Sequence, residues 1–415
     1  MIKPQALRTL LQRGICLVCL ALLLLCAVPQ PSFAFTEQQK LVMEAWRIVN
    51  RAYLDESFNH QNWWFIRKKA LKRPLNSWED AYQEVRAMLD KLEDPYTRFL
   101  SPEQYQSLQT NTSGELLGVG LQIAKDEDNQ GVRVIAPIVD SPAERAGVLP
   151  KDKIILINGT PTHALSLDEA AARMRGPAGT IVTLAISRSG QETFEVNLMR
   201  ERINLNPVVT KTQRLPSGEE IGYVRLSQFN GNAVEDMRQA LAELEQREAA
   251  GYILDLRNNP GGLLQAGIEI ARLWMDDVTI VYTVSRQGVF ESFEAGRGAL
   301  TSDPLVVLVN SGSASASEIL AGALQDNGRA QLVGETTFGK GLIQSLFDLV
   351  NGAGIAVTVA KYETPSHHDI NKLGITPDIE VKTEPIARTQ FATEEDKQYQ
   401  EAVELLAAEL AANSA

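Results

Sequence analysis

From residue 202 to about residue 385 the chain alternates short, almost wholly apolar runs with amphipathic ones. "IGYVRLSQF", "AVEDMRQALAELEQRE", "GYILDL", "LLQAGIEIARLWM", "PLVVLV", "ASEILAGALQD" and "AQLVG" follow one another in that order. A strand that is apolar on both faces must be covered on both faces, and a parallel sheet flanked by helices provides that cover. The pattern therefore predicts a largely parallel α/β core. Reactive residues in such a core belong in the loops that follow strand ends. Two loops stand out on that basis, "RNNPGG" after "GYILDL" and "NSGSASAS" after "PLVVLV".

Two other textures precede this core. Residues 35–110 are helical in pattern: in "TEQQKLVMEAWRIVNRAYL", Leu41, Val42, Ala45, Trp46 and Val49 share one helix face. Trp46, Trp63 and Trp64 are expected in the interior of this small helical domain. Residues 111–201 change to β-rich runs with Gly turns, "LGVGLQIA", "GVRVIAPI", "DKIILINGT" and "TIVTLAISR", plus one helical stretch, "SLDEAAARMR". Residues 386–415 end in the Ala-rich helical pattern "EEDKQYQEAVELLAAELAA", expected to pack on the surface rather than act.

The first 34 residues carry Lys3, Arg8 and Arg13, no acid, an apolar run over residues 15–28, and Ser32-Phe33-Ala34 before Phe35. This is the tripartite pattern of an export signal cleaved near Ala34. Fourteen apolar residues are fewer than the roughly 20 needed to span a bilayer. Cys16, Cys19 and Cys26 all lie inside that leader, so the remaining chain has no disulfide, thiolate nucleophile or Cys-ligated zinc. It keeps 37 Lys and Arg against 52 Asp and Glu, a net charge of −15. Such a charge repels phosphate backbones and anionic lipid, so nucleic acid is excluded as a partner and a membrane enters only through a substrate.

Ser311, Ser313, Ser315 and Ser317 crowd the second strand-end loop. Ser315 opens the helical stretch "ASEILAGALQD", and with Glu318 three residues on it also spells a capping box, which on that motif alone is the simpler reading. The four histidines, His60, His163, His367 and His368, have no orienting carboxylate in a strand-end loop, so a Ser-His-Asp triad has no support. A lysine can serve as base where burial lowers its pKa toward neutrality. Lys340, in "TTFGKGLIQS", is the candidate, flanked by Gly339 and Gly341 and followed by Leu342 and Ile343. Gly334 to Lys340 also matches G-x-x-x-x-G-K, but Gly341 stands where a phosphate loop needs Ser or Thr, and a strand pattern follows where it needs a helix. Donors for a developing oxyanion are available from the glycines of "RNNPGG" and the Ala316 amide, whereas Pro260 has no N–H to give.

Residues 111–201 resemble a PDZ domain through Gly118-Val119-Gly120-Leu121, "SPAERAG" and "DKIILINGT". The resemblance implies that a peptide C-terminus docks as an added strand along Gly118, Val119, Gly120, Leu121, Gln122 and Ile123. With "DPYTRFLSPEQY", "LDLRNNPGG", "SASASEI", "GETTFGKG" and "DINKLGITPD" in order, the chain resembles the carboxyl-terminal processing proteases, a Ser/Lys endopeptidase family with a ClpP/crotonase-like core. By that resemblance Ser315 is the nucleophile, Lys340 the base, and Gln344 orients the amine. Gly261 and Ala316 are the oxyanion donors, with Gly262 the alternative to Gly261, and Glu318 and Asp326 have supporting roles. Pro260 departs from the third glycine of many relatives, and "SHHD" from their usual small-basic pair. Arg175 is expected to link the domains by pairing with a carboxylate of the protease core. The stretch "FDLVNGAGIAVTVAKYETPSHHDINKLGI" is similar to members that trim the photosystem II D1 precursor, implying that substrate and a place in the thylakoid lumen or periplasm. The expected enzyme is a monomer without metal or cofactor. The competing reading is a catalytically silent PDZ peptide-binding protein.

Overall fold

The computed structural model describes residues 35–126, 131–138, 140–288, 290–384, 386 and 388–413. The expected leader, residues 1–34 with its three cysteines, lies outside the described residues. The central six-stranded sheet has the spatial order Val208–Arg214, Glu220–Leu226, Tyr252–Asp255, Leu305–Val309, Gln331–Gly334 and Ile379–Glu380. Its first pair is antiparallel and every other pair parallel. Successive side chains of a strand point to opposite faces, and the apolar runs use both. Leu305, Val307 and Val309 join the core beneath helices Ala233–Gln246, Leu264–Ala271 and Ala316–Asp326. Val306 and Leu308 join Tyr399, Ala402, Val403 and Leu406 of helix Lys397–Asn413.

The C-terminal helix thus does more than rest on the surface as expected. It covers the second face of the sheet, where Ile253, Val306, Leu308 and Val333 would otherwise meet water at about 1.5–3 kcal/mol each.

The N-terminal helices Glu37–Ala52, Trp63–Ala70 and Trp78–Leu89 form a second core, and capping boxes at Thr36/Gln39 and Ser77/Asp80 set where the first and third begin. This core is shared: Leu349, Ala353, Ile355 and Val357, from the far end of the chain, pack into it. Strand Arg98–Leu100 also pairs antiparallel with the start of strand Gly354–Glu363. Trp46 and Trp63 are buried as expected, but Trp64 is not; its side chain lies on the surface, 61% exposed. Adjacent residues on an eight-residue helix point about 100° apart, so only one of the two indoles can face the core.

The β-rich segment is an antiparallel sheet in the order Leu121–Lys125, Val132–Pro137, Lys153–Ile157, Ile181–Ser187 and Phe194–Met199. Helix Leu167–Met174 buries Ala170 and Met174 against it. Strands Glu115–Gly118 and Glu201–Asn204 pair at its entry and exit. The molecule is therefore a multidomain α/β protein: N-terminal helices, a β-rich unit, and a core built on a mostly parallel sheet.

Candidate active site

The crowded serine loop resolves by burial and bonding. Ser313 and Ser317 are fully buried and donate their hydroxyls to the Leu256 and Asn259 carbonyls at 2.8 and 2.9 Å, while Ser311 is exposed. Ser315 is half-buried at the start of helix Ala316–Asp326, with φ +57° and ψ −116°. L-residues rarely adopt such a backbone, which costs of order 1–3 kcal/mol and persists where surrounding contacts enforce it. The contacts are visible. Ala314 N–H donates to Asn259 O at 3.0 Å, and Ser315 N–H to Glu318 Oε2 at 2.8 Å. The Glu318 amide is taken by the Ser315 carbonyl, also at 2.8 Å, so the serine hydroxyl is not required to cap it.

Glu318 organises more than a helix start. It is 0% exposed, and its carboxylate accepts from Thr337 Oγ1 at 2.5 Å, Gly339 N at 2.7 Å, Ser315 N at 2.8 Å and Lys340 N at 2.9 Å. One buried carboxylate thereby holds the backbone of both residues that the sequence singled out. Tyr362 makes a second tie, its hydroxyl donating to the Ser315 carbonyl at 3.2 Å and to the Lys340 carbonyl. Burial, then the nearby positive charge of Arg98, pulls the Lys340 amine below the usual lysine range, while Glu318 and Asp94 act in the opposite direction. The amine stands 5.1 Å from the centre of the Tyr96 ring.

Not every expected contact is present. Among the described residues Lys340 Nζ makes no hydrogen bond, so none joins it to the Ser315 hydroxyl or to Gln344. Gln344 Nε2 is buried without a partner, beside a bulge in the pairing of strands Leu342–Asp348 and Gly354–Glu363.

The glycine loop lies against the serine. Gly261 has φ +94°, and a Cβ there would stand 2.9 Å from both Ser315 Cβ and Ala316 N. Its own N–H, however, donates to Asn259 Oδ1 at 2.9 Å in this conformation. Gly262 makes no N–H hydrogen bond among the described residues, and neither does Ala316. A Cβ on Gly262 would meet Phe229 O at 2.1 Å, so glycine is demanded there as well. Behind the loop, Arg257 is buried between Asp255 and Asp396, bonding Asp255 Oδ2 and Asp396 Oδ2 at 2.7 Å each, and Arg225 donates to the Arg257 carbonyl at 3.0 Å.

Asp94, Tyr96, Arg98, Tyr362, Asp255, Arg257 and Asp396 were not picked out from the sequence. Except for Asp396 they lie inside stretches that carry the resemblance, "DPYTRFLSPEQY", "LDLRNNPGG" and "AVTVAKYETPSHHD", and only "LDLR", an acid and a base inside an otherwise apolar strand end, marks single residues. Asp326 lies at the opposite end of the eleven-residue helix, about 15 Å of helix rise from Ala316, and accepts from the Ser366 amide at 2.8 Å. Its support reaches the loop after strand Gly354–Glu363, not the nucleophile. Arg175 forms no ion pair among the described residues, contrary to the expected pairing with the protease core. It lines a groove with Gly118, Val119, Gly120, Leu121 and Ile123, which Ser107 and Thr110 of helix Pro102–Ser113 border. Gln122 is exposed and does not line it. Gly120, at φ +77°, leaves no room for a side chain against Ser141. All four histidines are exposed. The loop carrying Lys340 runs between strands Gln331–Gly334 and Leu342–Asp348, without the helix a phosphate loop needs. Among the described residues no cluster of His, Cys, Asp or Glu is placed to hold a metal ion, and no helix is long and apolar enough to cross a membrane.

Comparison with known proteins returns the same two parts. Residues 220–381 match the model of peptidase family S41, and residues 106–187 that of the PDZ domain. The chain is 57% identical over 401 residues to a carboxyl-terminal-processing protease of Picosynechococcus sp., covering 96% of this chain and 97% of that one. It is 47% identical over 359 residues to the chloroplastic carboxyl-terminal-processing peptidase 2 of Arabidopsis thaliana, covering 84% and 70%. A solved photosystem II D1 C-terminal processing protease superposes with a TM-score of 0.56 at 41% identity, over 84% of this chain and 94% of that one.

Proposed function

The chain belongs to the carboxyl-terminal-processing proteases, serine peptidases of family S41 that carry a PDZ domain, and from that premise we propose how its own residues cleave a substrate. Residues 35–110 brace the core, 111–201 receive the substrate's C-terminus, 202–385 perform the chemistry, and helix Lys397–Asn413 seals the sheet. The terminus adds a strand along Gly118 to Ile123. Neutral Lys340 takes the proton of Ser315, whose oxygen attacks the scissile carbonyl. The Ala316 N–H and one glycine N–H of the "PGG" turn hold the oxyanion. As it collapses, the scissile C–N bond breaks and the Lys340 ammonium returns its proton to the leaving amine. Neutral Lys340 then deprotonates a water that hydrolyses the acyl enzyme, and gives Ser315 back its proton. No step in this route uses a metal or cofactor.

The observation that carries this reading is the Glu318 carboxylate, which holds Ser315 and Lys340 together in a buried pocket. The conformation described is a resting one in this scheme: the amine lies near Tyr96, Gln344 has no partner, and the Gly261 N–H is spent on Asn259. Substrate docking brings Lys340 to Ser315 and Gln344 to Lys340. The turn then presents Gly262 directly, or Gly261 once it leaves Asn259.

The substrate is the precursor of the photosystem II D1 protein, and the enzyme works as a monomer after export, in a thylakoid lumen or periplasm. Likeness to the solved D1 protease supports the substrate, and likeness to chloroplastic relatives supports the place. The test incubates the chain beginning at Phe35 with a peptide of the D1 precursor C-terminus and an unrelated C-terminal peptide, read by mass spectrometry. The wild type cleaves the first in preference, while Ser315→Ala binds it and does not cleave. Cleavage by Ser315→Ala at the wild-type rate removes the nucleophile, and equal cleavage of both peptides removes the substrate.

A further inference from the structure

The surface around Trp64 contradicts what the net charge implies. Between Glu56 and Glu79 lie 22 residues without an acid, containing Arg67, Lys68, Lys69, Lys72 and Arg73, in a chain whose net charge is −12. Helix Trp63–Ala70 turns Trp63 inward and leaves Trp64 and Phe65 outward, 61% and 63% exposed. The Arg67 guanidinium lies 4.0 Å from the Trp64 ring centre and 4.6 Å from that of Trp46, so the exposed indole is held in place. Arg73 is paired with Glu84 at 2.6 Å, but Lys68, Lys69 and Lys72 are exposed and form no ion pair among the described residues.

We propose that this face is a peripheral membrane-docking site for an anionic lipid bilayer surface. Two exposed aromatic rings, Trp64 held by Arg67 and Phe65 beside it, and three ammonium groups that form no ion pair among the described residues supply both parts of interfacial binding: rings that settle at the headgroup boundary, and cations that reach lipid phosphates. The charge complementarity is local. Interactions beyond about 10 Å are screened at ordinary salt, so acids elsewhere on the chain do not cancel the patch. An acidic protein partner would satisfy the lysines, but it gives no reason for two adjacent aromatic side chains left more than half exposed to water. The site is independent of the catalytic assignment, since none of its residues touches Ser315, Lys340 or the peptide groove.

The test uses the chain beginning at Phe35, which carries all four apolar cores, and measures co-sedimentation with vesicles of equal parts phosphatidylcholine and phosphatidylglycerol against pure phosphatidylcholine. The wild type sediments with the anionic vesicles and stays in solution with the neutral ones, and added salt releases it. At about fivefold per cation, K68Q/K69Q/K72Q lowers partitioning about a hundredfold. W64A/F65A lowers it at least about tenfold. Both keep the wild-type circular dichroism and cleave a soluble peptide normally. A wild type that does not bind anionic vesicles, or variants that bind as well as it does, overturns the proposal. So does sedimentation velocity showing that the wild type self-associates and W64A/F65A does not, because a second copy would then cover the patch.

Discussion

Replacing Glu318 by alanine tests the central geometry. It removes the acceptor of the Ser315, Gly339 and Lys340 amides in a pocket with no exposed surface at that carboxylate. A buried donor left without a partner costs about 1–3 kcal/mol, so three cost about 3–9 kcal/mol unless the loops part or water enters. At about 1.4 kcal/mol per tenfold, a loss of even the lower amount from the catalytic arrangement reduces kcat at least a hundredfold. Glu318→Gln is gentler. Its amide oxygen can keep Ser315 and Lys340, and its NH2 can donate to Thr337 Oγ1, leaving only the Gly339 amide opposed, a cost of about 1–3 kcal/mol. The expected order is wild type, then Gln, then Ala, in kcat for cleavage of a C-terminal peptide. Affinity of the peptide for the PDZ groove should change little, and urea midpoints report the accompanying loss of stability. The Gln variant also removes a negative charge that raises the Lys340 pKa, so its remaining activity rises at lower pH than in the wild type. If Glu318→Ala, folded by circular dichroism, cleaves within about threefold of the wild type, the carboxylate does not hold the site together.

Arg98→Gln removes a like charge that lowers the Lys340 pKa. Activity needs the neutral amine and rises with pH through that pKa, so the rising limb of the kcat/KM profile moves to higher pH; an unmoved limb rules out the pairing. Arg257→Ala leaves Asp396 buried without its cation and Asp255 with only Arg225, at 3.0 Å, and destabilisation of about 3–5 kcal/mol is expected in urea unfolding. Gly262→Ala puts a methyl 2.1 Å from Phe229 O at φ +151°. The loop must shift, so kcat falls at least about tenfold with the fold retained, and a fully active variant shows that the loop tolerates displacement.

Several elements were readable locally. Capping boxes at Thr36, Ser77, Ser101 and Ser166 use partners three residues away, so each is written in one short stretch. Leu305–Val309 reads as a buried strand for the same reason. By contrast, the capping-box pattern at Ser315 and Glu318 was visible, but it concealed a carboxylate whose other ligands lie about twenty residues downstream. Trp63 and Trp64 look alike as letters, and only the packing decides which of them is covered. The tail helix looked superficial because its apolar stripe is weak, yet it meets a sheet face supplied by strands far upstream.

What the sequence determined by itself was the set of local periodicities and the kinds of chemistry available: an alternating α/β core, reactive loops after strand ends, a scarce and unsupported histidine set, and a lysine in an apolar setting. Tertiary structure alone decided which serine is strained and half-buried, that Asp94 joins Thr358 from 264 positions away, and which glycine N–H is already occupied. The reason is physical. Periodicity and capping act between neighbours along the chain, whereas burial, hydrogen-bond satisfaction and the charge felt by an amine depend on groups that only the folded chain brings within a few ångströms.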